Sequence, residues 1–218
     1  MRLILSNLLF GLTLLGLSLF GPSLGGTAHA STVLVIGDSI SAAYGLDEAD
    51  GWVSLAEKEL TPTHPKLKMV NASISGDTTE GGLRRLPAAL ERFNPDVLII
   101  ELGGNDGLRG YPLKKIRENL NTLVKLGQDA EALVLILGMR IPSNYGPTYT
   151  EKFAQTFVDA AEQTQAELVP FFLEPIALDS VYFQPDGIHP TAEAQPLMLR
   201  PVLEKLVPML NAVIETVQ

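Results

Sequence analysis

The chain has 218 residues, 46% hydrophobic and 19% charged, with a formal net charge of −9 at pH 7 and no cysteine. An acidic chain with no basic run repels nucleic acid and anionic lipid at long range, which argues against both as partners. Without cysteine there are no disulfides, no thiolate metal sites and no cysteine nucleophile.

The first 30 residues read as a leader. Arg2 is their only charge, a long apolar run from Leu3 to Phe20 follows, and after Gly21-Pro22 the segment Ala28-His29-Ala30 has the small-x-small form of a signal peptidase site. Residues 1–30 are therefore expected to be a Sec-type signal peptide cleaved after Ala30, giving a periplasmic or secreted protein with no retained membrane anchor. Loss of Arg2 takes the net charge from −9 to −10 and leaves residues 31–218 as one domain with volume for a full core.

Along that domain, apolar runs rich in β-branched residues alternate with helical patterns. Strands are predicted over 32–36 (TVLVI), 67–70, 96–102 (DVLIIEL), 133–137 (LVLIL) and 168–172. Continuous apolar strands of this kind are buried on both faces, as in parallel sheets. Helices are predicted near 51–60, 78–93, 112–127, 149–165 and 191–217. In the last, Leu199, Leu203, Leu206, Leu210, Val213 and Val217 form an apolar stripe, which Pro201 and Pro208 should kink or split. The alternation gives a three-layer α/β/α sandwich with a parallel five-stranded sheet.

Four short blocks lie on this frame. Gly37-Asp38-Ser39 follows the first strand at a predicted strand-to-helix turn, Ser75-Gly76-Asp77 follows the second, and Gly103-Gly104-Asn105-Asp106 follows the third. Asp186-Gly187-Ile188-His189 occupies the Pro185-to-Pro190 loop before the last helix. Loops beyond the carboxyl ends of parallel strands open at one edge of the sheet, so these residues can share a crevice. Ser39 then supplies a nucleophile and His189 a base. Asp186, three residues before the histidine, can fix its tautomer and stabilise the imidazolium. The Ser39 N–H, the Gly76 N–H and the Asn105 side-chain amide can serve as oxyanion donors. Ser41 competes as nucleophile but lacks a glycine two residues before it. The other histidine of the domain, His64, lies in Pro62-Thr63-His64-Pro65 and is expected in an exposed loop.

These blocks resemble the SGNH (GDSL-type) hydrolase superfamily. The wider text resembles one subgroup, the periplasmic multifunctional thioesterase/protease/lysophospholipases and bacterial arylesterases. The likeness extends through Ile36–Gly45, Asn71-Ala72-Ser73 with Thr78-Thr79, Glu101–Gly107, Arg140–Gly146 and Pro185–Pro190. It implies a flavodoxin-like SGNH fold with Ser39, Asp186 and His189 catalytic and Ser39, Gly76 and Asn105 forming the oxyanion hole. Asp186 carries the least weight of these, because a backbone carbonyl can also hold the imidazole. Ester and thioester hydrolysis without metal or cofactor is implied, through an acyl-serine, on acyl-CoA, aryl esters or lysophospholipids. The expected partner is a small-molecule or lipid acyl ester, handled by a monomer.

Leu108, Ile141, Pro142, Tyr145 and Ile188 are the apolar candidates for an acyl groove. The glycine-bounded segment 107–112 is a candidate mobile cover, and Arg109 a candidate contact for an anionic leaving group. An α/β-hydrolase elbow is excluded because position 41 is Ser where Gly-x-Ser-x-Gly needs glycine. Two histidines in the domain are too few for a His-rich dinuclear phosphatase site. A carbohydrate acetylesterase of the same superfamily is the nearest enzymatic alternative, though no aromatic cluster for sugar stacking supports it. A non-catalytic lipid-binding domain is the other, set against every catalytic position being filled.

Overall fold

The structure, a computed structural model, describes residues 30–216. Apart from Ala30, the predicted leader lies outside the described residues. Five strands, β1 (Thr32–Gly37), β2 (Lys68–Asn71), β3 (Val97–Glu101), β4 (Leu133–Leu137) and β5 (Glu167–Val169), form one parallel sheet in the order β2-β1-β3-β4-β5. The helices are α1 (Trp52–Leu60), α2 (Thr79–Phe93), α3 (Gly104–Leu108), α4 (Leu113–Asp129), α5 (Pro147–Thr164) and α6 (Gln195–Thr216). α1 packs with α6 on one face of the sheet, and α2, α4 and α5 pack in sequence on the other. The side chains of Val33–Ile36 and Val97–Ile100 are fully buried, as two covered faces require.

The strand order places a topological switch between β1 and β3, where ligands of open α/β sheets bind. Register sets Gly37, the last residue of β1, opposite Glu101, the last of β3. The loops carrying Ser39 and Asn105 therefore leave the sheet side by side.

Several elements differ from expectation for identifiable reasons. β5 runs over Glu167–Val169 and not to residue 172, because Pro170 has no N–H to give the sheet. α6 is neither split nor ended by its prolines: Pro201 and Pro208 lie inside a continuous 22-residue helix. Burial of Met198, Leu199, Val202, Leu206, Met209, Leu210 and Val213 against the sheet and α1 holds it, while Leu203 is only half-buried and Val217 lies outside the described residues. No helix begins at Ser39. Residues 39–45 are a run of turns closed by Ala42 N–H to the Asp38 carbonyl (3.0 Å) and Tyr44 N–H to the Ser39 carbonyl (3.1 Å). α3 takes in Gly107 and Leu108, the first third of the predicted mobile segment 107–112. His64 is buried, not exposed: its N–H bonds the Leu60 carbonyl at 2.7 Å and its Nδ1 meets Thr63 Oγ1 at 2.9 Å, so the chain folds back over the end of α1.

Gly138 joins the end of β4 to the segment after β5, its N–H bonding the Val169 carbonyl (2.8 Å) and its carbonyl taking the Phe172 N–H (2.8 Å). A Cβ here would stand 2.4 Å from the Pro170 carbonyl oxygen, a backbone atom with little freedom to move. Gly138→Ala is expected to destabilise the fold by about 1–3 kcal/mol. Urea titration should show a lowered midpoint with unchanged slope; an unchanged midpoint would contradict the packing described.

Candidate active site

Gly37 ends β1 in a crowded place. A Cβ on it would lie 2.7–2.8 Å from Ser73 Oγ, Glu101 Oε2 and Ser41 Cβ. Glycine thus lets the following turn close over the end of β3. Glu101, fully buried, gathers that turn: its Oε2 accepts from the Asp38 N–H (3.2 Å), the Ser41 N–H (3.2 Å) and the Ser41 hydroxyl (2.7 Å). Ser41 Oγ in turn accepts from the Trp52 indole at 3.1 Å. Ser41 is therefore buried and committed to the scaffold, while Ser39 faces the crevice half-buried.

The Ser39 hydroxyl lies 2.9 Å from His189 Nε2, and His189 Nδ1 lies 2.7 Å from Asp186 Oδ2. The loop that bears these two residues is closed on itself. Gln184 N–H bonds the His189 carbonyl (2.7 Å), Thr191 N–H bonds the Tyr182 carbonyl (2.8 Å), and the Gln184 amide reaches the Tyr44 carbonyl (2.7 Å). The Tyr44 ring covers the imidazole with centroids 4.4 Å apart. Asp186 Oδ1 accepts the N–H groups of His189 (3.0 Å) and Ile188 (2.9 Å). These bonds, the His189 N–H first and the imidazole next, hold its carboxyl down at about 2, so it stays ionised throughout the neutral range. Histidine accepting at Nε2 and donating from Nδ1 to a carboxylate is the tautomer a general base needs.

Asn105 stands in the first turn of α3. Gly103 precedes it at φ +117°, left-handed backbone that favours glycine, and any Cβ there would sit 2.9 Å from Phe157. Asp106 anchors α3 to α2, accepting the Thr79 N–H (3.0 Å) and hydroxyl (2.6 Å), while Asn119 donates to the same hydroxyl (2.9 Å). One hydrogen of the Asn105 amide goes to Asp38 Oδ2 at 2.9 Å. Gly76, at φ +78°, lies in an exposed loop tied to β1 by Arg85, which bonds Asp77, the Ala72 carbonyl and the Gly37 carbonyl. Among the described residues no hydrogen bond engages the N–H of Ser39 or of Gly76. The N–H groups of Ser39 and Gly76 and the second hydrogen of the Asn105 amide are thus unengaged; Ser39 and Asn105 line one cleft, and Gly76 is not among its lining residues.

A cleft of about 780 Å³ opens from Ser39, Asn105 and His189 across the ends of β4 and β5. Leu108, Ile141, Pro142 and Ile188 line it. Tyr145 does not: its hydroxyl bonds the Leu108 carbonyl at 2.9 Å, bracing the wall from outside. Arg109 is not among the lining residues either; it donates to the Gly76 carbonyl at 3.1 Å. The cation that does line the cleft is Arg140, its guanidinium 5.3 Å from the Phe171 ring centroid. Met139, Phe171, Leu173 and Leu178 complete the apolar wall from segments that motif spacing does not mark. The motif pattern also gives no role to Asp38, Glu101 or Arg85. An acid ending an otherwise apolar strand, as Glu101 does, was the available signal. A second hollow, of about 510 Å³ at the amino ends of β4 and β5, contains no serine or histidine.

With this geometry in hand, comparison with known proteins is specific. Residues 35–196 match the model of the GDSL-like lipase/acylhydrolase family. The chain is 48% identical over 183 residues to esterase TesA of Pseudomonas aeruginosa, covering 84% of this chain and 91% of that protein. It is 39% identical over 184 residues to thioesterase 1/protease 1/lysophospholipase L1 of Escherichia coli K12, covering 84% and 87%. A crystal structure of the psychrotrophic esterase EstA from Pseudoalteromonas sp., inhibited by monoethylphosphonate, superposes with a TM-score of 0.79 at 44% identity, covering 83% of this chain and 99% of that one.

The two serines should separate cleanly by substitution. Ser39→Ala is expected to abolish ester turnover with stability within about 0.5 kcal/mol of the parent, as for a change outside the core. Ser41→Ala should retain measurable turnover but lose about 1–3 kcal/mol, because the Trp52 indole is left without its acceptor. Paired kinetics and denaturation curves check both, and the reverse pattern would make Ser41 the nucleophile.

Proposed function

Because the chain belongs to the GDSL-like (SGNH) lipase/acylhydrolase family of ester-hydrolysing enzymes, we propose that it is an exported serine esterase and thioesterase working through an acyl-serine intermediate. The observation that carries the mechanism is the unbroken series from Ser39 Oγ to His189 (2.9 Å) to Asp186 (2.7 Å), set beside free N–H donors. In this reading Ser39 attacks the substrate carbonyl as His189 Nε2 takes its proton. Asp186 steadies the imidazolium by accepting from Nδ1. Negative charge gathers on the carbonyl oxygen, where the N–H groups of Ser39 and Gly76 and the Asn105 amide meet it. Collapse expels the alkoxide or thiolate, which leaves with the proton from His189. Water, deprotonated by the same imidazole, then releases the acid and restores Ser39.

The cleft's apolar wall suits an acyl chain, and Leu108, Ile141, Pro142 and Ile188 are proposed to contact it. Arg140 offers a cation to a phosphate-bearing leaving group, which fits acyl-CoA or lysophospholipid substrates. The similarity to thioesterase 1/protease 1/lysophospholipase L1 supports that breadth. Export with cleavage after Ala30 is proposed from the leader sequence, and N-terminal sequencing of the secreted chain should begin at Ser31.

A panel of p-nitrophenyl esters of graded chain length, run beside acyl-CoA and lysophospholipid, tests the substrate class. An organophosphorus probe should label Ser39 in active protein. Active protein that stays unlabelled at that serine would end the acyl-serine reading. Asn105→Ala should lower kcat on the order of a hundredfold; an effect confined to KM would remove Asn105 from the oxyanion site.

A further inference from the structure

Two buried carboxyls lie directly beneath the cleft, and the acyl-transfer steps above use neither. Asp38 and Glu101 are 2% and 0% exposed, joined through the Asp38 N–H at 3.2 Å from Glu101 Oε2. Asp38 Oδ1 accepts the Ile40 N–H at 3.0 Å, and its Oδ2 accepts the Asn105 amide at 2.9 Å. A side-chain amide can flip by half a turn, exchanging donor for acceptor with little change of shape. Flipped, Asn105 would present its oxygen to a developing oxyanion and repel it. An ionised carboxylate only accepts, so it tolerates one of the two orientations.

We propose that Asp38 is a positioning residue for the oxyanion site, locking the Asn105 amide with its nitrogen toward the Asp38–Ser39 turn, while Glu101 holds that turn and stays protonated so that Asp38 keeps the charge. Two adjacent buried carboxyls cannot both ionise without large cost. Burial, then the Asp38 charge, pushes Glu101 well above its ordinary value. Burial pushes Asp38 to only about 6, because the Ile40 N–H, the Asn105 amide and the nearby His189 favour its ionised form against the charge of Asp77. Glu101 Oε2 already accepts the Asp38 N–H, the Ser41 N–H and the Ser41 hydroxyl, whereas its Oε1 is buried with no hydrogen-bond partner among the described residues.

This inference rests on the esterase reading, and the test separates the two. With an activated ester at alkaline pH, where Asp38 is ionised, Asp38→Ala should lower kcat by between about tenfold and the hundredfold expected for losing the donor itself, with KM within about twofold. In an Asn105→Ala background the same substitution should cost less than about threefold, since its effect runs through that amide. Undiminished kcat, or losses that multiply in the double variant, would overturn the role. Should Asp38→Ala not fold, the isosteric Asp38→Asn takes its place in the same cycle. Wild-type protein gives a readout independent of turnover: the Asn105 side-chain amide resonances should shift as Asp38 titrates. Resonances that stay fixed while the Asp38 carboxyl signal moves would overturn the proposal even if no ester were ever hydrolysed.

Discussion

The pairing that sets Gly37 opposite Glu101 constrains everything above it. Two neighbouring parallel strands end at the same height, and the loops they feed must diverge within a few residues. The missing side chain of Gly37 lets the Glu101 carboxyl approach the turn closely enough to collect three hydrogens on one oxygen. A carboxyl so enclosed ionises only with difficulty, and its neutrality matters as much as its bonds. A second full charge beside Asp38 would push apart the turn that these contacts draw together.

From that anchor the site is braced in several directions by pieces distant in sequence. Trp52, at the start of α1, reaches the Glu101 cluster through Ser41, and its own N–H bonds the Gln195 side chain at the start of α6. Arg85 on α2 grips both the Gly76 loop and the end of β1. Asp106 clamps α3 to α2 and α4 through Thr79 and Asn119. An oxyanion site gains most when its donors need not reorganise as charge develops. These buried side chains supply that rigidity from beneath, leaving the acyl groove to be shaped by the segments after β4 and β5.

The layers, the strand count and the convergence of Ser39, Asn105 and His189 were legible because each rests on local pattern. Apolar runs mark buried strands, and glycine-bounded blocks mark the loops beyond them. Less legible was whatever depends on partners far along the chain. Pro201 and Pro208 look like helix breakers until burial of one side of α6 is taken into account. His64 looks exposed between two prolines until the turn folds it over α1. Tyr145 and Arg109 have suitable chemistry for the groove but satisfy main-chain carbonyls, whereas Arg140 reaches it from a marked segment that gave it no role and Phe171 from one with no motif. Glu101 was visible as an acid in an apolar strand, yet only the register reveals what it touches.

Two aspartates of the site feel the charge of the imidazole, and their environments push them in opposite directions. Asp186 stands in an exposed loop and takes two backbone N–H groups besides the ring, which holds it near 2. Asp38 is buried and linked to another acid, which lifts it to about 6. Carboxylates acquire different duties in this way, by desolvation on one side and donated hydrogens on the other. Asp186, always charged, suits the steadying of an imidazolium that comes and goes. Asp38 keeps its charge only while Glu101 remains neutral, so the orientation of the Asn105 amide depends on where a single buried proton resides.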